Sequence, residues 1–432
     1  MQSSLKPPSS TTPARRGWPI QIHLSIYISA LFLMLVLFTL GTAILPATED
    51  VTAYYEYSRR IMMGLVPYKD FAIEYPPFAL VFFLLPWLVL YPAGGLQGEF
   101  YDNRDFYASV FHVECFLLEV AVMLLAYRLL RKIYPEASPL SFTSRMIWYT
   151  LGALAISLYM MQRFDIGAAF LLLLGLYLLY DNKPGWAGVV LGLGTAAKLY
   201  PAIALPLALI YLWRYQSNHK GAWRCLVGFG MAGALVTLPF VLISPEGFLN
   251  FLKYHSDRGI QIETIFATIA ALGHYLGLNP ASSIVDHTSI GVASPWSKNL
   301  ATLSTLLTVG GLLALYWLAW RKARPGNKLS TDWLVQATAL VVLWFILANK
   351  VFSPQYMIWV LAFVPFWKGR KQTLVLLALL LSFVPFPLLA AELFKLDWKP
   401  MVVLIVRNGL LLALFVQLLS ILRIPKTVES SQ

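Results

Sequence analysis

Long apolar runs follow one another along most of the chain, separated by short polar junctions, with prolines at many run ends. A stretch of about 20 apolar residues suffices to cross the roughly 30 Å hydrocarbon core as a helix. The pattern predicts spans at 18–45, 108–130, 145–161, 166–181, 185–199, 201–214, 223–243, 298–320, 332–349, 355–367, 372–391 and 399–422. That is an all-α polytopic membrane protein, a bundle of about 12 transmembrane helices. Some of these runs are short. They must thin the bilayer locally, lie within protein, or have different bounds.

One apolar run is excluded from the count. Residues 78–90 hold Pro86 and are bounded by Pro76, Pro77 and Pro92. If this run crossed the bilayer, the basic cluster Arg128, Arg131, Lys132 and Arg145 would fall outside. If it lies in the outer interface, that cluster falls inside. So do Lys183, then Arg214, Lys220 and Arg224, then Arg321, Lys322, Arg324 and Lys328, then Lys368, Arg370 and Lys371, then Arg423 and Lys426. Cytoplasmic retention of Lys and Arg favours the second arrangement at every turn. Residues 78–90 are therefore expected to lie along the outer face.

The domain plan follows. Residues 1–17 are a Ser/Thr/Pro-rich cytoplasmic tail, 18–423 a single membrane domain, and 424–432 a second cytoplasmic tail. The first run is too long for a signal-peptide core, and Arg15 and Arg16 hold its start in the cytoplasm, so it reads as an uncleaved span. Two large outer loops remain, 46–107 and 244–297. The chain is thus expected to sit in the plasma membrane, multi-pass, with both termini cytoplasmic.

Composition narrows the function classes. Of 432 residues, 58% are hydrophobic and 12% charged, against about 25% charged in a soluble domain. The net charge of +12 sits in clusters at run ends, where it reports topology and contact with membrane lipids and not a nucleic-acid partner. Cys115 and Cys225 are the only cysteines and both fall in or beside apolar runs, so no disulfide framework is expected. No His/Cys cluster has metal-ligand spacing. Neither a metal nor a cofactor is expected.

The polar residues that matter collect on one face. The segment 50–77 carries five tyrosines, charges of both signs and a short amphipathic piece at 54–63. Its ionisable groups include Asp50, with Glu49 just before it, and Glu74. The same face receives Arg163 and Asp165, Lys198 and Tyr200, then His255, Arg258 and Glu263, then Lys350, Gln355 and Tyr356. Ionisable residues at membrane depth are costly, so they point to function. Arg163 and Asp165 could equally form a local ion pair, and His255 alone would read as a loop histidine. Arg407, in the middle of the last run, must pair inside the bundle or face a cavity. Arg and Lys clusters bind phosphate. A carboxylate can take the proton of an attacking hydroxyl, and aromatic faces suit sugar rings. Together these suit glycosyl transfer from a lipid-phosphate sugar.

Asp50 with Tyr54, then Gly64-x-x-Pro67-Tyr68-x-Asp70 and Glu74-Tyr75-Pro76-Pro77, resembles the first-loop signature of the GT-C superfamily of integral-membrane glycosyltransferases. More narrowly, the chain resembles glycosyltransferase family 87, a bacterial family that includes polyprenol-phosphate-mannose-dependent α-mannosyltransferases. Arg163-Phe164-Asp165, Ala187-Gly188 with Gly192, Lys198-Leu199-Tyr200-Pro201 and the block 257–263 are similar to its later motifs. The block 350–356 is also similar to one in eukaryotic mannosyltransferases that build lipid anchors. The resemblance covers about 46–410. It implies the GT-C fold, with two helices lying along the membrane in the first outer loop, and an inverting transfer with Asp50 as general base. Glu49 is the adjacent second candidate; Asp50 holds the spacing to Tyr54. Electrostatics assigns Lys198, Arg258, His255, Lys350 and Arg163 to the donor phosphate, and Tyr54, Tyr200, Gln355 and Tyr356 to donor or sugar contacts. Glu49, Glu74, Asp165, Glu263 and Arg407 take supporting places. The expected partners are a polyprenyl-phosphate-linked hexose, with mannose the favoured sugar, and a lipid or glycan acceptor. A flippase for a lipid-linked saccharide, or a polysaccharide ligase or polymerase, would use similar groups and stays open here.

Overall fold

The computed structural model describes residues 49–92, 104–287 and 289–423, together with Ile28 and Phe32 in helical conformation. The rest of the expected first span, both tails and residues 46–48 and 93–103 of the first loop lie outside the described residues.

Helix α1 (Glu49–Met62) opens the first loop. Its first turn holds Glu49 and Asp50 and its last turn Arg59 and Arg60, each sign favoured by the helix dipole at that end. Val51, Tyr54, Tyr55 and Ser58 are buried along one stripe, at the spacing of a single helix face. Gly64, at φ +87°, turns the chain after it. The run 78–90 then forms two short pieces, α2 (Ala79–Leu84) and α3 (Trp87–Leu90), with Pro86 between them. Together they are far shorter than a membrane-crossing helix. Phe83, Trp87 and Leu90 are buried while Leu88 and Val89 are exposed, as suits helices packed on protein beneath and apolar outside.

The bundle continues with α4 (Arg104–Ile133), α5 (Pro139–Ala155), α6 (Ser157–Met161), α7 (Asp165–Tyr180) and α8 (Pro184–Ala197). A 3-10 turn (Tyr200–Ala204), α9 (Leu205–Ile210) and a π turn (Tyr211–Tyr215) lead to α10 (His219–Ile243). The long segment 244–297 is no bare loop. It contains α11 (Pro245–Asp257), α12 (Ile265–Tyr275) and an antiparallel hairpin of β1 (Ser282–Asp286) and β2 (Ser289–Ala293), with Ser282 opposite Ala293. Then come α13 (Ser297–Lys322), α14 (Trp333–Ala348), α15 (Met357–Leu361), α16 (Arg370–Ser382), α17 (Ala390–Phe394) and α18 (Trp398–Leu418).

Among the described residues five helices are long and apolar enough to cross a membrane: Arg104–Ile133, His219–Ile243, Ser297–Lys322, Arg370–Leu388 and Trp398–Leu422. The other expected spans within the described residues are shorter or broken. The run 355–367 is a correction: it is not a continuous helix. It forms 3-10 turns at Pro354–Tyr356 and Val364–Phe366 around the five-residue α15, and residues 357–367 are all buried. An apolar run looks the same in sequence whether lipid or protein surrounds it, and Pro354 and Pro365 interrupt this one. The expected span 201–214 is likewise divided among three helix types, and 372–391 leaves regular helix after Ser382 at a segment holding Pro385 and Pro387.

Two close approaches set the geometry. Helices α8 and α10 pack backbone to backbone: a Cβ on Gly188 would lie 1.9 Å from the Cys225 carbonyl oxygen. Gly188→Ala is expected to push the helices apart and cost about 1–3 kcal/mol, read as a lower unfolding midpoint in detergent. The start of α11 lies equally close to the first loop. A Cβ on Gly247 would meet the Tyr68 carbonyl oxygen at 1.7 Å, and the Ser244 hydroxyl donates to that oxygen at 3.2 Å. The segments 49–92 and 244–297 are therefore packed against each other.

Candidate active site

Where these loops meet the ends of α7, α8 and α14, they enclose a cavity of about 350 Å³. Asp50, Tyr54 and Glu74 come from the first loop, and Arg163, Asp165 and Lys198 from the helix junctions. His255, Arg258 and Glu263 come from the late loop, and Lys350, Gln355 and Tyr356 from the segment after α14. Glu49, Tyr200 and Arg407, also expected at the site, do not line it.

The cations and carboxylates pair in a way their sequence spacing did not show. Arg163 does not pair with its near neighbour Asp165; it forms an ion pair with Asp50, in the first turn of α1. Asp165, 1% exposed, instead takes both contacts from Lys198 Nζ, at 2.6 and 2.7 Å, and a third from Trp359 Nε1 at 2.8 Å. A buried carboxylate with three donors is held rigidly. Lys198 Nζ also lies 4.9, 5.7 and 5.9 Å from the ring centres of Phe164, Trp359 and Tyr356, a cation–π environment. Tyr200 stands behind this wall, stacked on Trp359 at 3.9 Å, with Tyr356 on the same indole at 4.0 Å. It packs on the tryptophan and does not reach the cavity. Tyr54 sits in a ring cluster with Phe83 at 4.3 Å and with Tyr75 and Phe164 at 5.7 Å each.

Arg407 is fully buried and points at the cavity floor from behind. It donates to the Glu263 carboxylate and, at 2.7 Å, to the Glu263 carbonyl, and its guanidinium lies 4.1 Å from the Phe352 ring centre. It supports Glu263.

Two cations are left without an ion-pair partner among the described residues. Arg258 donates to Ser289 Oγ at 2.8 Å, and Lys350 Nζ to the Ser256 carbonyl at 2.6 Å. Burial, chiefly, draws the Lys350 ammonium below its ordinary pKa, so this part of the wall favours an anion. His255 is held below its ordinary value mainly by burial. Its Nε2 lies 2.8 Å from the Glu74 carbonyl oxygen, which can only accept, so the neutral ring carries its hydrogen there. Glu74 itself is raised by burial, against lowering by Tyr254, Arg258 and His287.

Several cavity residues lay outside the expected set. Trp359 and Tyr159 come from apolar runs, and Ser289 and Ile290 from the hairpin. Gln261 and Ser353 hydrogen-bond each other at 2.7 Å. Trp359 had one sequence signal, three residues after Tyr356 on the same short turn. Ser289 had none. The hairpin is tied over the cavity by Ile262 N–H to Ile290 O at 2.9 Å and Val292 N–H to Ile260 O at 3.0 Å.

The sequence model described as Glycosyltransferase family 87 matches residues 73–347. The chain belongs to glycosyltransferase family 87. It is a membrane glycosyltransferase. The chain is also similar to a protein named GPI mannosyltransferase 1 from Aspergillus fumigatus, 22% identical over 342 residues, covering 74% of each chain. The family match takes in Glu74, Lys198 and Arg258, and ends just short of Lys350; Asp50 precedes it. Among the described residues no group of three or more His, Cys, Asp and Glu side chains is placed to hold a metal.

Proposed function

We propose that this family 87 glycosyltransferase moves a hexose, mannose in the first instance, from a polyprenyl-phosphate donor to a hydroxyl of a lipid or glycan acceptor. The single observation that carries this is the division of charge in the cavity: Arg258 and Lys350 without carboxylate partners, and Asp50 on the wall of the same space. In this mechanism the Asp50 carboxylate takes the proton of the acceptor hydroxyl. That oxygen forms the new bond to the anomeric carbon from the face opposite the leaving group, so configuration inverts. The bond from the anomeric carbon to the phosphate oxygen breaks, and the polyprenyl phosphate leaves with the electron pair. Arg258 and Lys350 stabilise the charge that develops on it. Tyr356 and Trp359 offer ring faces to the sugar.

The proposed location is the extracytoplasmic face of the plasma membrane. The loops bearing the basic clusters meet at the end of the bundle away from the cavity. Lys132 pairs there with Asp181, the Tyr134 hydroxyl donates to Asp332 at 2.7 Å, and that of Tyr180 to the Thr331 carbonyl at 2.8 Å. Retention of such clusters inside would put the cavity outside.

The direct test is transfer of label from radiolabelled polyprenyl-phosphate-mannose to extracted host lipids by protein purified into nanodiscs. Labelled product supports the proposal. Transfer only from another polyprenyl-linked sugar would overturn mannose, and movement of the donor across the bilayer without product would favour a flippase. Lys350→Met is expected to raise the donor KM roughly tenfold or more with a smaller change in kcat, since a charge-assisted contact contributes about 1.5–3 kcal/mol. Initial rates against donor concentration separate the two.

A further inference from the structure

The end of the bundle away from the cavity carries a second built feature. Helices α8 and α10 touch there through glycine on both sides: besides Gly188 on Cys225, a Cβ on Gly228 would lie 2.4 Å from the Gly185 carbonyl oxygen. Backbones this close leave no side chain above the contact line. An apolar recess of about 610 Å³ opens between Trp186 and Val189 on one helix and Trp223, Val227 and Met231 on the other. Its two tryptophans are 66% and 57% exposed, an orientation that suits the lipid–water interface and not a protein core. On the far side of Trp223 a second apolar recess of about 240 Å³ continues toward Trp213 and Trp320.

The rim of the larger recess is basic. Arg224 has no hydrogen bond or ion pair among the described residues, and Lys183 is more than half exposed although it reaches Asp181 at 2.6 Å. That single carboxylate is shared with Lys132. The first turn of α8 adds its own positive end, with no side-chain cap and no acid. Arg224 lies beside the start of α8, where a Cβ on Gly185 would lie 3.7 Å from its own, and an unpartnered guanidinium is a good phosphate ligand. Here it lines the same recess as the apolar side chains of Trp186, Val189, Trp223, Val227 and Met231. A zwitterionic choline headgroup would bring a second cation to this rim; an anionic headgroup would not.

We propose that this recess binds an anionic phospholipid, with its phosphate on Arg224 and Lys183 and an acyl chain between Trp186 and Trp223. The site is a membrane-anchoring and stabilising contact about one helix length from the cavity, and it is independent of the donor.

Native mass spectrometry of the full chain, delipidated in neutral detergent and titrated with phosphatidylglycerol or phosphatidylcholine, tests this. Wild type is expected to retain phosphatidylglycerol at least about fivefold better, from roughly 1 kcal/mol per basic residue near the headgroup. Arg224→Glu should abolish the preference, Arg224→Lys keep most of it, and Trp223→Ala weaken retention of both lipids. An unchanged unfolding midpoint for Arg224→Glu in lipid-free detergent shows that the variant is folded. Equal retention of the two lipids by wild type, or full preference in folded Arg224→Glu, would overturn the proposal. Complete displacement of phosphatidylglycerol by millimolar glycerol phosphate would also overturn it, because the slot would then contribute nothing.

Discussion

Asp50→Asn is expected to lower kcat for glycosyl transfer by roughly 10²- to 10⁴-fold, the usual contribution of a general base. Asparagine keeps the shape of the side chain and cannot take a proton. The change acts on the chemical step, so kcat and kcat/KM should fall together. Arg163 is the built-in control. It is paired with Asp50 and flanks the Asp165–Lys198 pair, so Arg163→Ala should lower kcat less than Asp50→Asn does. If Arg163 acts by orienting Asp50, the two changes combined should be no worse than Asp50→Asn alone. Turnover of Asp50→Asn within a few-fold of wild type would move the base elsewhere, and Glu74 is the next carboxylate on the wall. The pH profile tests Glu74. Burial holds the Glu74 carboxyl above its ordinary value, so it becomes protonated, and useless as a base, at a higher pH than an ordinary carboxylate. If Glu74 were the base, activity would fall off as pH drops through that raised value, and Glu74→Gln would abolish transfer.

The largest expected effect on stability belongs to Arg407. Its side chain is 0% exposed in α18, and its partner Glu263 is 5% exposed at the cavity floor. Arg407→Leu leaves a buried carboxylate without its cation, a loss of about 3–5 kcal/mol when one partner of such a pair is removed. Asn408 continues to hold the Glu263 carbonyl at 3.2 Å, so the loop should loosen more than detach. Glu263→Gln with Arg407→Leu removes both charges and should recover much of the loss. Equilibrium unfolding in mixed micelles reads all three variants. Arg407→Leu with wild-type stability would show that the pair contributes nothing to the fold.

The legible part of the site lay at run ends. Asp165, Lys198 and Lys350 each follow or begin a helix, and helices of similar length bring their ends to the same level. The amphipathic stripe of α1 and the short, proline-bounded run 78–90 were equally visible, because both depend only on local spacing. Residues whose placement depends on another element were not. Ser289 reaches the cavity through a hairpin with no apolar periodicity, and Trp359 does so because the run 355–367 is a broken, buried segment packed within the bundle and not one regular helix.

The sequence by itself determined a helical membrane protein, its family, and the face on which its ionisable groups collect. These follow from run length, the spacing of apolar residues and the side on which Lys and Arg accumulate, all local properties of the chain. Only the tertiary structure decided which charges cancel. Arg163 lies two residues from Asp165 yet pairs with Asp50 on α1, while Asp165 pairs with Lys198 and Glu263 with Arg407. Among the described residues Arg258 and Lys350 are left without an ion-pair partner. Ion pairing depends on distances of a few ångströms between side chains from different helices, and those distances are set by packing.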